Sequence, residues 1–177
     1  MLRLTLLLIG GLLGACGGDI SPLQVSGEKP MRIVSLDFCA DNYVLKLADP
    51  DQILAISPDA EKDFSHMRNA AAGFRTVRPV SENILILKPD LVVRSYGGGP
   101  NAAAFFERAG IPVLQIGWAS NIDSEETGSI PSLIEHVSEG LGQRVRGDAL
   151  VMEFRDRLKA LLRGRGLWFT KCLSRLA

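Results

Sequence analysis

Four side chains able to do chemistry crowd one short stretch, Ser35, Asp37, Cys39 and Asp41 in SLDFCAD. A serine hydroxyl or a cysteine thiol becomes a working nucleophile only with a base within hydrogen-bond reach. The chain has two histidines, His66 and His136, neither close in sequence, and His66 is the one that could approach in space. One reading is therefore a small exported α/β hydrolase-like enzyme using Ser35 or Cys39 with His66. The two carboxylates also have a structural reading, as the cap and first turn of a following helix, where acceptors and negative charge answer unpaired amides.

The aromatic residues point to a different chemistry. Phe38, Tyr96 and Trp118 each follow an apolar run that reads as a strand. Gathered at one rim, they would make an apolar, weakly polarised platform suited to a large flat or chelate-like ligand. The alternative is that each ring only covers the end of the sheet. Asp37, Phe38, Tyr96 and Trp118 are the candidate ligand-binding residues, and no catalytic residue is assigned. Gly97, Gly98 and Gly99 lack both the GxGxxG spacing and the GK[ST] ending of phosphate loops, so a flexible loop open to a bulky ligand fits them better. No CxxC or HExxH spacing is present, so neither metal ligation nor a cofactor is expected.

Alternating elements must position these groups. Residues 32–36 (RIVSL) read as a buried strand, 40–47 as a helix and 53–56 as a second strand. Residues 59–74 read as a short helix with a loop. The stretch 81–96 (SENILILKPDLVVRSY) holds a short helix with Ser81 as its N-cap, a stop at Pro89 and a strand at 91–94. A helix through Arg108, capped by Gly110, leads to a strand within 111–116 (IPVLQI). This β-α-β order predicts an α/β fold, a parallel sheet flanked by helices and Rossmann-like in type. Ligands gather at the carboxyl ends of such strands. Beyond it, 131–139 reads as a helix and 144–162 as a long amphipathic one, either a strut between lobes or a surface packing helix.

Composition bounds the rest. The 177 residues carry 20 basic and 20 acidic side chains, so no net field favours nucleic acid. Residues 1–16 read as a lipoprotein-type signal: Arg3, an apolar core at 4–13, then Leu-Gly-Ala before Cys16, the expected lipidation site. Residues 17–30 read as a tether. Three cysteines make no disulfide framework, and no spacing pairs Cys39 with Cys172.

The segments RIVSLDFCADNYVLKL, ENILILKPDLVV and FFERAGIPVLQIG, in this order, resemble the periplasmic substrate-binding proteins of ABC importers for iron-siderophore complexes, haem and cobalamin. The resemblance runs from about Arg32 to Leu162. It implies a monomer tethered in the periplasm by its lipid anchor, with two Rossmann-like lobes joined by a long helix and the ligand, a metal chelate or corrinoid, between them. It assigns residues 31–128 to the N-terminal lobe, 129–163 to helices that include the inter-lobe connector, and 164–177 to an atypical tail. It makes Glu82 the acid that docks on the permease, and resolves 144–162 as the strut. A second lobe should follow the strut. The expectation is a truncated form in which that lobe is missing.

Overall fold

The computed structural model describes residues 29–120, 122 and 128–173, with side chains up to 163. The expected signal with Cys16, all but the end of the tether, and the last four residues of the tail lie outside the described residues, as does the Cys172 side chain.

Strand β1 (Ile33–Ser35) leads through Asp37 into α1 (Phe38–Leu47). A 3-10 turn (Pro50–Gln52) then feeds β2 (Ile53–Ala55). A run of turns ends in the short helix α2 (Arg68–Ala71), followed by α3 (Ser81–Ile86) and β3 (Leu91–Arg94). Helix α4 (Ala102–Arg108) precedes β4 (Val113–Gln115), and α5 (Ile130–Gly140) and α6 (Arg144–Leu173) follow. The four strands form one parallel sheet in the order β2-β1-β3-β4, the α/β architecture expected from the alternation.

Strand periodicity explains why the apolar runs are continuous. Side chains alternate between faces, and both faces are covered. Ile33, Leu91, Val93 and Leu114 pack with Val44 and Leu47 of α1 and Val137 of α5. On the other face Val34, Leu36, Val92 and Val113 meet Ile84 of α3 and Phe106 of α4. The register sets Ile33 beside Leu91 and Val92 beside Val113, so each layer is apolar across the sheet.

The Lys88-Pro89-Asp90 stop works through long-range partners. Lys88 takes a left-handed backbone (φ 49°), which ends α3 before the proline. The freed carbonyls of Leu87 and Lys88 accept from the Arg32 guanidinium at 2.6 and 2.9 Å. Asp90 in turn accepts from the Met31 and Arg32 amides at 2.8 and 2.9 Å. The starts of β1 and β3 are thereby held together. One local expectation is corrected. Val80, not Ser81, is the N-cap of α3, with extended backbone and no side-chain cap, and Ser81 is already helical.

Helix α6 seats only its first turns. Gly147 lies so close to α5 that a Cβ there would stand 2.4 Å from Ser138 Cβ. Val151 is buried, whereas Met152, Leu161 and Leu162 are exposed. The helix also runs on to Leu173, past the end at 162 read from the sequence, so its 30 residues span about 45 Å at 1.5 Å per residue. A seat this tight should not admit a methyl group. Gly147→Ala should lower unfolding stability by about 1–3 kcal/mol, read as a lower urea midpoint at unchanged m-value.

Candidate functional site

Because the strands are parallel, their carboxyl ends share one edge, and the strand order reverses direction between β1 and β3. A crevice at such a switch point is where ligands enter open α/β sheets. The loops leaving β1 and β3 carry Phe38 and Tyr96, with ring centroids 6.4 Å apart and planes tilted by 59°.

Asp37 joins these two loops. Its Oδ1 accepts from the Ala40 amide at 3.0 Å, capping α1. Its Oδ2 accepts from three consecutive amides, Ser95 at 2.8 Å, Tyr96 at 3.0 Å and Gly97 at 2.8 Å. Converging backbone N–H groups of this kind form an anion-binding nest, and here the protein's own carboxylate fills it. Asp37 is 2% exposed. Its visible role is to build the rim from beneath.

The glycines are fixed as well. A Cβ on Gly97 would lie 2.3 Å from the Leu36 carbonyl oxygen, so glycine is needed for the loop to lie on β1. The buried Arg94 guanidinium donates to the Gly97 and Gly99 carbonyls at 2.8 and 2.9 Å. Gly98 and Gly99 have positive φ. The flexible loop read from the sequence is instead a tied one, because its amides and carbonyls are held by Asp37 and Arg94.

A third ring completes the cluster. Phe64, from the turns after β2, meets Phe38 edge-to-face at 5.4 Å and 83°. Phe64 is 64% exposed and Tyr96 48%. Sequence reasoning missed Phe64 because it lies in loosely patterned residues far from a strand end. Trp118, 79% exposed, follows β4 on the same edge. Among the described residues, the ring contacts of this rim join Phe38, Phe64 and Tyr96, and Trp118 enters none of them.

The nucleophile candidates sit in unfavourable surroundings. Ser35 is wholly buried and His66 is exposed. Burial, then the negative charges of Asp37 and Asp41, push the Cys39 thiol above its ordinary value. A reactive cysteine needs the opposite, an electropositive setting that favours thiolate. Burial likewise raises the Tyr96 hydroxyl, with Asp37 adding to it. Among the described residues no group of three His, Cys, Asp or Glu side chains is placed to hold a metal ion. A polar cleft of about 250 Å³ between α5 and α6, lined by Glu135, Ser138, Glu139, Arg144 and Asp148, includes none of the rim residues.

Asp41, behind Cys39 on α1, accepts from the Ser57 amide at 3.1 Å and the Ser57 hydroxyl at 2.5 Å. Burial nevertheless pushes its carboxyl from 3.8 up to about 6. Glu82 is exposed in the first turn of α3.

No protein-family model matches the chain, and no curated protein matches it in sequence. Its fold is that of the N-terminal lobe of periplasmic binding proteins. The chain is similar to a periplasmic heme binding protein from Pseudomonas aeruginosa at 20% identity and a TM-score of 0.57, with 74% of this chain and 45% of that one covered. It is similar to the periplasmic vitamin B12 binding protein of Vibrio cholerae at 24% identity and a TM-score of 0.55, covering 75% and 49%. A siderophore binding protein, solved with acinetobactin and ferric iron, aligns at 19% identity and a TM-score of 0.56 over 76% and 48%. The chain spans about half the length of these proteins.

Two outcomes follow for the carboxylates. Asp37→Ala leaves four backbone N–H groups without their acceptor, so it should cost about 3 kcal/mol in chemical denaturation. Asp41 acts in the other direction. Its folded pKa of about 6 lies above the starting 3.8, so the folded state binds the proton more readily. Its contribution to stability should improve as pH falls from about 6 towards 3.8, because the cost of burying the charge disappears. Asp41→Asn should flatten that part of the pH–stability curve, as followed by denaturant midpoints.

Proposed function

We propose that this chain forms the N-terminal wall of the ligand cleft in the substrate-binding component of an ABC importer, taking an iron-siderophore complex, haem or cobalamin in the periplasm. The observation that carries this reading is the ring cluster at the switch point of the sheet, half-buried Phe38 with exposed Phe64 and Tyr96, whose Tyr96 loop is tied by Asp37. An apolar rim with few polar groups and no activated nucleophile suits recognition of a large conjugated or chelate ligand better than bond cleavage. The likeness to heme, vitamin B12 and siderophore binding proteins supports the same class of ligand. Trp118 adds an exposed apolar surface further along the edge, and Asp37 serves the ligand through the loop it holds.

The remaining roles follow from the family resemblance. Glu82, with its carboxylate free in solvent at the start of α3, is the acid that meets basic residues of the permease. Cys16 carries the lipid that keeps the protein at the membrane, and Cys16→Ala should abolish incorporation of labelled palmitate. The far part of α6, exposed beyond its first turns, is the connector towards an opposing lobe.

The deciding experiment is a titration of the purified chain with haemin, ferric hydroxamate, ferric catecholate and cyanocobalamin, followed by tryptophan fluorescence. One wall buries only part of such a ligand, so a dissociation constant on the order of micromolar is expected. Binding should saturate with one ligand class and weaken at least about tenfold in Phe38→Ala or Tyr96→Ala, a loss of about 1.4 kcal/mol. A cooperatively folded chain that saturates with none of them, or binds regardless of these substitutions, would overturn the reading.

A further inference from the structure

Phe64 stands on a segment, residues 57–67, that buries Ser57, Ala60 and Ser65 but leaves the Phe64 ring exposed. Its internal hydrogen bonds are local turns, such as Ala60 to Ser57 at 3.2 Å and Ser65 to Lys62 at 2.9 Å. Two consecutive residues of α1 hold it to the lobe at both ends. Asp41 takes the Ser57 amide and hydroxyl at one end. At the other, Asn42 Oδ1 accepts from the Met67 amide at 3.1 Å, while Asn42 Nδ2 donates to the Phe38 carbonyl at 2.6 Å. Asn42 lies one turn along from Phe38 on the same helix, so one side chain contacts the backbone of the first ring's residue and the backbone three residues beyond Phe64.

We infer that Asp41 and Asn42 are positioning residues that latch the 57–67 segment onto α1 and thereby fix Phe64 edge-on against Phe38 in the ligand platform. The latch is separate from the Asp37 tie that fixes Tyr96. The platform thus has two halves tied by different side chains, the β3 loop by Asp37 and Arg94 and the 57–67 segment by Asp41 and Asn42. The ligand consequence rests on the function proposed above, whereas the latch itself can be read without ligand.

The test uses the chain with Asn42→Ala, and compares ring-to-ring nuclear Overhauser contacts and amide hydrogen exchange with the unmodified protein. Expected is loss of the Phe38–Phe64 contact and at least tenfold faster exchange at the Met67 amide, with the Phe38–Tyr96 contact kept. Asn42→Asp, which retains the acceptor for Met67, should restore the Phe38–Phe64 contact. A Phe38–Phe64 contact and Met67 protection that survive Asn42→Ala would overturn the latch. If Asn42→Ala also loses the Tyr96 contact, the lobe has unfolded, and Asn42→Ser, which withdraws the acceptor but keeps a polar helix surface, is read by the same criteria. The ligand arm titrates the same four compounds into Asn42→Ala, Phe64→Ala and the double variant. Equal losses that do not add would support positioning through Phe64, and additive losses would overturn it. Absence of binding in the unmodified chain would sink the proposed function while the ring contacts still decide the latch.

Discussion

The carboxylate of Asp37 is the constraint on which the rim depends. Four amides, one from the first turn of α1 and three from the loop after β3, converge on it. Charge-assisted hydrogen bonds of this kind hold shorter and tighter geometry than neutral ones. The consequence reaches past the loops. Capping α1 sets where that helix begins, and this in turn aims Phe38, Asp41 and Asn42. Drawing in the β3 loop sets Tyr96 and presses Gly97 onto Leu36. A phosphate-binding loop would leave its amides open for a ligand. Here they are occupied from within, so the loop presents its side chains at this edge and not its backbone amides.

The opposite edge is organised by another carboxylate. Asp49 pairs with Lys29 and Arg146 and accepts from Gln143 at 2.8 Å, and these hydrogen bonds, Lys29 first, hold its carboxyl well below the usual range. Gln143 also donates to the buried Gln52 at 2.6 Å, which donates to the Pro30 and Leu141 carbonyls. Arg146 reaches the Leu47 carbonyl at the end of α1, where a cation is favoured. Chain entry, the end of α1 and the start of α6 are fixed by one network. Surface ion pairs singly contribute little. Their value here is directional, since they set the heading of a long helix whose described side chains from 152 to 163 are mostly exposed.

The sheet was legible because its signal is local and redundant. Runs such as Leu91-Val92-Val93 suit a strand covered on both faces, as in a parallel sheet, and Pro89 and Gly110 punctuate the chain as their backbones require. The rim was legible in part. Phe38 and Tyr96 were reachable because strand ends mark loop starts. The role of Asp37 was half visible, as a helix cap, while its three amides nearly sixty residues away have no signature in sequence spacing. Phe64 was invisible for the same reason in stronger form. Nothing in DFSHM marks a strand end, and its place is set by side chains on α1. The N-cap of α3 was misread because a serine before an apolar run is a cap only if its backbone is extended, and here tertiary packing draws it into the helix.

The same physics separates what is rigid at this edge from what can adapt. Asp37, Arg94 and the close approach of Gly97 over-determine the β3 loop, so Tyr96 is presented in one arrangement. Residues 57–67 instead are tied by one carboxylate and one amide side chain of α1, beside the burial of Ala60 in a small apolar cluster, and burial of that carboxylate raises its pKa. One ring is thus fixed by the β3 loop, one is borne on α1 and one is latched beside it. Preorganised side chains of this kind lower the ordering cost of any binding that uses them.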